Sequence, residues 1–110
     1  MGNPFAGEVV VALDGVDHPA KLTLGALAEL ESALGEDSLI ALVQRFEAGR
    51  YSSRDVLALL VAGLRGGGWR GGAGDLTAVT FGDAAGTGPM AAARVAAQLL
   101  VRAFSLPQEG

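Results

Sequence analysis

The chain has 110 residues and a net charge of −4 at neutral pH, and half of its residues are hydrophobic. With 20 Ala, 16 Leu and 17 Gly it is too apolar for a charge-rich disordered tail, and its Gly residues lack the three-residue period of collagen. The absence of Cys excludes disulfides and thiolate catalysis. With a single His as well, the chain has few reactive groups for an enzyme.

The first predicted element is a β-hairpin over residues 8–22. Residues 8–13 are rich in Val, and the Asp-Gly pair at 14–15 is a strong signal for a two-residue hairpin turn. Pro19 cannot donate to a ladder, so the second strand is predicted to be an edge strand or a bulged one. Because an isolated hairpin is only marginally stable, we expect it to pack on helices or to pair with another chain.

Helices are predicted to occupy residues 23–105. Thr23 is an N-cap for a helix over residues 24–34, and Asp37 or Ser38 caps a second one. The third helix has an apolar body from Val56 to Leu64. Since a helix without a polar face is buried, this one is either the centre of the fold or half covered by a partner.

The glycine-rich segment 66–74 follows, with six Gly in nine residues. It satisfies G-x-G-x-x-G but follows a helix rather than a strand, so it predicts a flexible loop instead of a nucleotide site. Trp69 within it is either an anchor for a partner or a lid on the third helix. Residues 75–83 suggest one or two weak helical turns, with Leu76, Val79 and Phe81 inward.

The last predicted helix runs from Pro89 to Phe104 after an N-cap at Thr87. Its polar residues form one narrow stripe, so it presents more apolar surface than a small monomer readily covers. The predicted fold class is therefore α+β and mostly α, with an N-terminal β-hairpin followed by four to five short helices in a single domain, 1–110.

No pattern in the chain predicts catalysis, a cofactor or a metal. His18 lies on a strand whose neighbouring carboxylate points to the other face, so we interpret it as an exposed strand residue. Glu29 and Glu31 do not share a helix face, and Glu36 and Asp37 sit at a helix cap, so neither pair resembles a glycosidase pair.

The seven Arg residues and one Lys are dispersed along an acidic chain, which argues against nucleic-acid binding. No apolar run approaches the roughly 20 residues that span a bilayer, and the first residues lack the pattern of a signal peptide. We therefore expect a cytoplasmic protein without a membrane partner.

A set of landmarks along residues 3–68 carries a resemblance to a known family. These are Asn3-Pro4-Phe5-Ala6-Gly7-Glu8-Val9, then Leu22-Thr23-Leu24-Gly25-Ala26-Leu27-Ala28-Glu29-Leu30-Glu31, then Ser38-Leu39, Arg45-Phe46 and Gly49, and finally Asp55-Val56 through Gly63-Leu64-Arg65. The series resembles the small tail-cluster protein of the gene transfer agents of alphaproteobacteria, which are phage-like particles. That family is grouped with phage tail assembly chaperones.

The resemblance implies a non-enzymatic role in tail assembly, in which the protein binds the tape measure protein, tail tube subunits or both. The alternatives are a structural subunit retained in the particle tail, and a small helical regulatory or nucleic-acid-binding module. Self-association is also left open, and the location that the resemblance implies is the bacterial cytoplasm or, alternatively, the phage-like particle. From the apolar surfaces we select as candidate contact residues Leu59, Trp69, Val101 and Phe104, and the hairpin edge offers a further site for a partner strand.

Overall fold

The computed structural model of the chain describes residues 8–35 and 39–104. Its elements are β1 (Glu8–Leu13), β2 (Val16–Lys21), α1 (Leu24–Leu34), α2 (Leu39–Glu47), α3 (Ser53–Gly66), α4 (Ala73–Leu76), β3 (Phe81–Asp83), β4 (Gly86–Thr87) and α5 (Pro89–Phe104). The predicted fold class, α+β and mostly α with an N-terminal hairpin, is confirmed. The predicted caps at Asp37 and Ser38 lie outside the described residues, as does Phe5.

The hairpin belongs to a four-stranded antiparallel sheet with strand order β2-β1-β3-β4. Asp14 and Gly15 have φ values of 51° and 85°, as both central residues of a type I′ turn must. The strand order places β2 at the edge of the sheet. Pro19 pairs with Val10 in an unbroken register, so this edge strand carries no bulge.

Strands β3 and β4 correct the expectation of helical turns over residues 75–83. Only α4 is helical there, and Phe81 and Gly82 instead pair with the end of β1. The side chain of Asp14 accepts a hydrogen bond from the Thr80 backbone N–H at 2.9 Å, which ties the hairpin turn to the start of β3. A three-residue strand is too short to leave a periodic pattern in the sequence.

The core lies between one face of the sheet and the helices, with α3 in the middle. Val9, Val11 and Leu13 point from β1 into this core. The helix α3 packs on β2, α1 and α5. Its Gly63 lets α5 approach, because a Cβ atom there would lie 2.6 Å from Leu99 Cδ1. The apolar body of α3 is therefore the centre of the fold, which resolves the choice between core and partner surface for most of that helix.

The α3 helix begins with a capping box. The Ser52 hydroxyl accepts from the Asp55 N–H at 3.1 Å, and Asp55 Oδ2 accepts from the Ser52 N–H at 2.9 Å. Just before this cap, the ring of Tyr51 stacks on the ring of Phe46 from α2, with the ring centroids 4.4 Å apart. These contacts fix the chain between α2 and α3.

Candidate protein-interaction site

The described residues contain no group of three His, Asp or Glu side chains that could hold a metal ion. His18 is half-buried on β2 opposite Val11, on the core side of the sheet, so the expectation of an exposed strand histidine is wrong. Glu29 accepts from Arg65 Nε at 3.0 Å, and Glu31 is exposed. Glu36 and Asp37 lie outside the described residues.

Within residues 8–35 and 39–104, three arginines bind carboxylates. Arg45 pairs with Asp55, Arg65 with Glu29, and Arg94 with Asp83. Two of these pairs are two-point contacts, in which the guanidinium and the carboxylate meet through two parallel hydrogen bonds. Their charges hold helices to neighbouring elements and are not directed at an external phosphate.

The Arg94–Asp83 pair holds α5 to the β3–β4 turn. Arg94 Nε and Nη2 each donate to Asp83 at 2.8 Å, and Asp83 Oδ1 also accepts from the backbone N–H groups of Ala85 and Gly86. The Arg94 hydrogen bonds, the two backbone N–H groups and the Arg94 charge together outweigh burial and lower the pKa of Asp83 from 3.8 to about 2. The turn is thus organised by one ionised carboxylate.

The glycine-rich segment has a packing role at its start. A Cβ atom on Gly66 would collide with the carbonyl oxygen of Lys21, and one on Gly67 would collide with that of Pro19. The C-terminal end of α3 therefore lies directly against the outer edge of β2. This corrects two expectations: Gly66 ends a helix instead of opening a loop, and the hairpin edge at 19–21 is covered instead of being free for a partner strand.

Trp69 folds back on the protein. It is half-buried and packs against the hydrophobic core, and its backbone N–H donates to the Leu64 carbonyl at 2.9 Å. Gly71 lies so close to the indole that a Cβ atom there would collide with the ring. The structure therefore matches the lid alternative for Trp69, with part of the ring still accessible.

An open apolar groove of about 650 Å³ lies between the first turns of α3 and α5. We call it the α3–α5 groove. Val56, Leu57 and Leu60 form one side, Val79 and Phe81 close the end towards the sheet, and Pro89, Met90, Ala92 and Ala93 form the other side. Met90 is 63% exposed at its rim. The sequence does not predict this groove, because three separate segments of the chain build it. The one local signal is the predicted start of α5 at Pro89, which places Met90 on the first turn of that helix.

The candidate contact residues fall into two groups. Leu59 has no exposed surface and lies in the core, so it cannot meet a partner while the fold is intact. Val101 and Phe104 are 64% and 46% exposed on the last turn of α5, three residues apart and so on one side of the helix. The described part of α5 thus carries apolar surface at both of its ends: the groove beside its first turn, and Val101 with Phe104 on its last.

Among the described helices, none has both the length and the apolar character needed to cross a membrane.

A family model described as "Phage tail tube protein, GTA-gp10" matches residues 6–106. No curated protein and no solved structure gave a significant match. The family model covers nearly the whole chain, so the chain belongs to this gene transfer agent tail family.

Proposed function

We propose that this member of the phage tail tube family is a structural subunit of the tail of a phage-like gene transfer agent particle, and that it stays in the finished particle. The observation that carries the proposal is the family match over residues 6–106, because the family is described as a tail tube protein. A tube subunit is a structural component, so we also propose that the chain has no enzymatic activity.

The surface of the domain supports this role. Besides Val101 and Phe104, other large apolar side chains are exposed, among them Val10, Val16, Leu24, Ile40 and Met90. A tube subunit must bury apolar surface against its neighbours, since such burial drives stable association. The partners we propose are further tail proteins, beginning with other copies of this chain.

The test is the composition of purified particles. Particles are isolated on a density gradient after nuclease treatment, and the protein is quantified by mass spectrometry relative to the capsid protein. We expect a fixed copy number per particle. If the protein is abundant in lysate but absent from particles, the structural role is wrong.

A matched pair of variants tests the contact residues. Phe104→Asp places a charge on the last turn of α5 and should reduce incorporation into particles at least about tenfold, as loss of a central apolar contact does. Ser32→Asp places the same charge on an exposed polar residue of α1 and serves as the control. Equal incorporation of both variants would remove Phe104 from the proposed contacts.

The second candidate is a tail assembly chaperone that binds the tape measure protein and then leaves. The exposed apolar side chains of α5 favour it, because they could cover the apolar helices of a partner. Co-expression with the tape measure protein distinguishes the two candidates. A chaperone would keep the tape measure protein soluble and co-elute with it, and it would be missing from the particles.

A further inference from the structure

The last apolar side chains of the chain cannot reach the α3–α5 groove of their own copy. Phe104 lies 14 residues after Met90 on the same helix, which places their Cα atoms about 21 Å apart. Leu106 follows Phe104 by two residues and reaches at most about 7 Å further. These apolar side chains therefore cannot fold back into the groove of the copy that carries them.

We propose that the C-terminal segment of one copy, Phe104 with residues 105–110, docks into the α3–α5 groove of the next copy. The inference rests on the proposed structural role and specifies the contact that such a role requires. Residues 105–110 lie outside the described part of the chain and have the sequence Ser-Leu-Pro-Gln-Glu-Gly. They supply one further apolar side chain, Leu106, and one acidic side chain, Glu109.

The groove matches this segment in size and in chemistry. Its volume of about 650 Å³ is in the range in which proteins enclose small ligands, so it accommodates a short apolar segment. Its surface is built mainly by apolar side chains such as Val56, Leu57 and Phe81, and hydroxyl side chains lie among them at Tyr51, Ser52, Ser53, Thr77 and Thr80. Phe104 and Leu106 are therefore suitable anchors for it.

The charges beside the groove also fit. Arg50 and Arg54 flank residues 51–53 of the rim in the sequence; both are exposed, and they line a neighbouring hollow that shares Ser52 with the groove. Within the described ranges neither has an ion-pair partner. Glu109 follows Leu106 by three residues and can approach these guanidinium groups once the apolar side chains are seated. Charge complementarity of this kind fixes the direction of a docked segment.

The contact is heterologous, because the groove of one copy meets a different surface of the next. Heterologous contacts between identical chains generate rings when the rotation closes and helical filaments when it does not. Both arrangements suit a tail that is built from repeated subunits. A contact between two grooves, or between two C-terminal segments, would instead stop at a dimer.

Disulfide trapping tests the proposal, since the native chain has no Cys. Thr80→Cys places a thiol on the groove rim, and Ser105→Cys places one between Phe104 and Leu106. The chain that carries both should give a ladder of covalent oligomers under mild oxidation, whereas a mixture of the two single variants should give dimers only. Ser32→Cys on α1 replaces Thr80→Cys in the control, which should give no ladder.

Anchor variants make the result specific. Phe104→Asp or Met90→Glu in the double-cysteine chain should reduce the yield of the ladder at least roughly tenfold. Circular dichroism first establishes that each variant is folded. A ladder of equal yield in the Ser32→Cys control, or one that survives both anchor variants, would overturn the proposal. Dimers formed by Ser105→Cys alone would also overturn it. Preferential trapping of Thr80→Cys by Phe5→Cys would overturn it as well, because it would identify the N-terminal segment as the occupant.

The trapping result is separable from the proposed function. If the protein is found in particles but no ladder forms, the structural role stands and this contact is wrong. If the ladder forms but particles lack the protein, the contact is real and the structural role is wrong.

Discussion

Arg45 of α2 and Asp55 of α3 meet in a two-point ion pair, with Nε 2.9 Å from Oδ2 and Nη2 3.0 Å from Oδ1. Asp55 is buried and at the same time caps α3 through the Ser52 N–H. Burial raises the pKa of Asp55. The hydrogen bonds from Arg45 and Ser52, together with the Arg45 charge, lower this pKa by more than burial raises it, so it lies below the ordinary value of 3.8. One carboxylate therefore both starts α3 and holds α2 beside it.

Asp55→Ala should lower the free energy of unfolding by about 2–3 kcal/mol, because it removes a helix cap and leaves the Arg45 charge without this partner. Arg45→Ala should cost less, about 1–2 kcal/mol, since Asp55 keeps its bond to the Ser52 N–H. Urea unfolding measures both values. Arg54→Ala removes an exposed neighbouring charge and should stay within about 0.5 kcal/mol of the wild type. A loss for Arg54→Ala as large as that for Asp55→Ala would contradict the proposed role of the pair.

The Asp83–Arg94 pair predicts a loss of stability in acid. The pKa of Asp83 is about 2 in the folded protein against an ordinary value of 3.8, so the folded state favours the ionised carboxylate. Its contribution is complete above about pH 4 and is lost as the pH falls towards 2. Asp83→Asn should therefore be less stable than the wild type at neutral pH. The difference in stability between the two proteins should become smaller as the pH falls from about 4 towards 2.

Thermal unfolding midpoints from pH 2 to pH 7 measure this effect. Asp17→Asn removes one charge from an exposed position of β2 and controls for the change in net charge. If the difference in unfolding midpoint between Asp83→Asn and the wild type stays constant across the acidic range, Asp83 does not contribute pH-dependent stability there, and the prediction is wrong.

The sequence predicted the helices because their signals are local. Thr23 accepts from the Ala26 N–H as its N-cap position requires, and the last helix occupies the predicted residues 89–104. The sheet was predicted in part, since Asp14 and Gly15 identify the hairpin but nothing nearby indicates that Phe81 joins β1. That pairing depends on contacts between residues far apart in the chain, and short strands leave no periodic signal.

The candidate site was harder to predict for the same reason. Helical periodicity could not separate Leu59, which is buried, from Phe104, which is exposed, because both occur in largely apolar helices. The packing of α3 against β2, α1 and α5 decides between them. The α3–α5 groove exists only after the segment 77–81 is placed between the two helices.

Gly66 and Gly67 should be intolerant of side chains. Gly66→Ala or Gly67→Ala forces a methyl group against the backbone of β2, which has no flexible atom to move away, and we expect a loss of about 1–3 kcal/mol in unfolding free energy. Gly25→Ala in α1 is the matched control, because the nearest atom to its new methyl group is 3.9 Å away. It should raise stability by up to about 1 kcal/mol through helix propensity. Chemical denaturation compares the three, and similar effects for all of them would contradict the close contact between α3 and β2.

Trp69 is the only Trp of the chain, so its fluorescence reports on the glycine-rich segment alone. The half-buried indole should emit at a shorter wavelength in the folded protein than in the unfolded one. Gly71→Ala would push a methyl group into the ring and should displace Trp69, shifting its emission towards that of the unfolded protein. Circular dichroism should remain unchanged, since Gly71 lies outside the helices and strands. Gly74→Ala, whose new methyl group would meet no atom within 4 Å, should leave the emission unaltered. If Gly71→Ala keeps the wild-type emission, the indole does not rest on Gly71, and the lid arrangement of Trp69 is wrong.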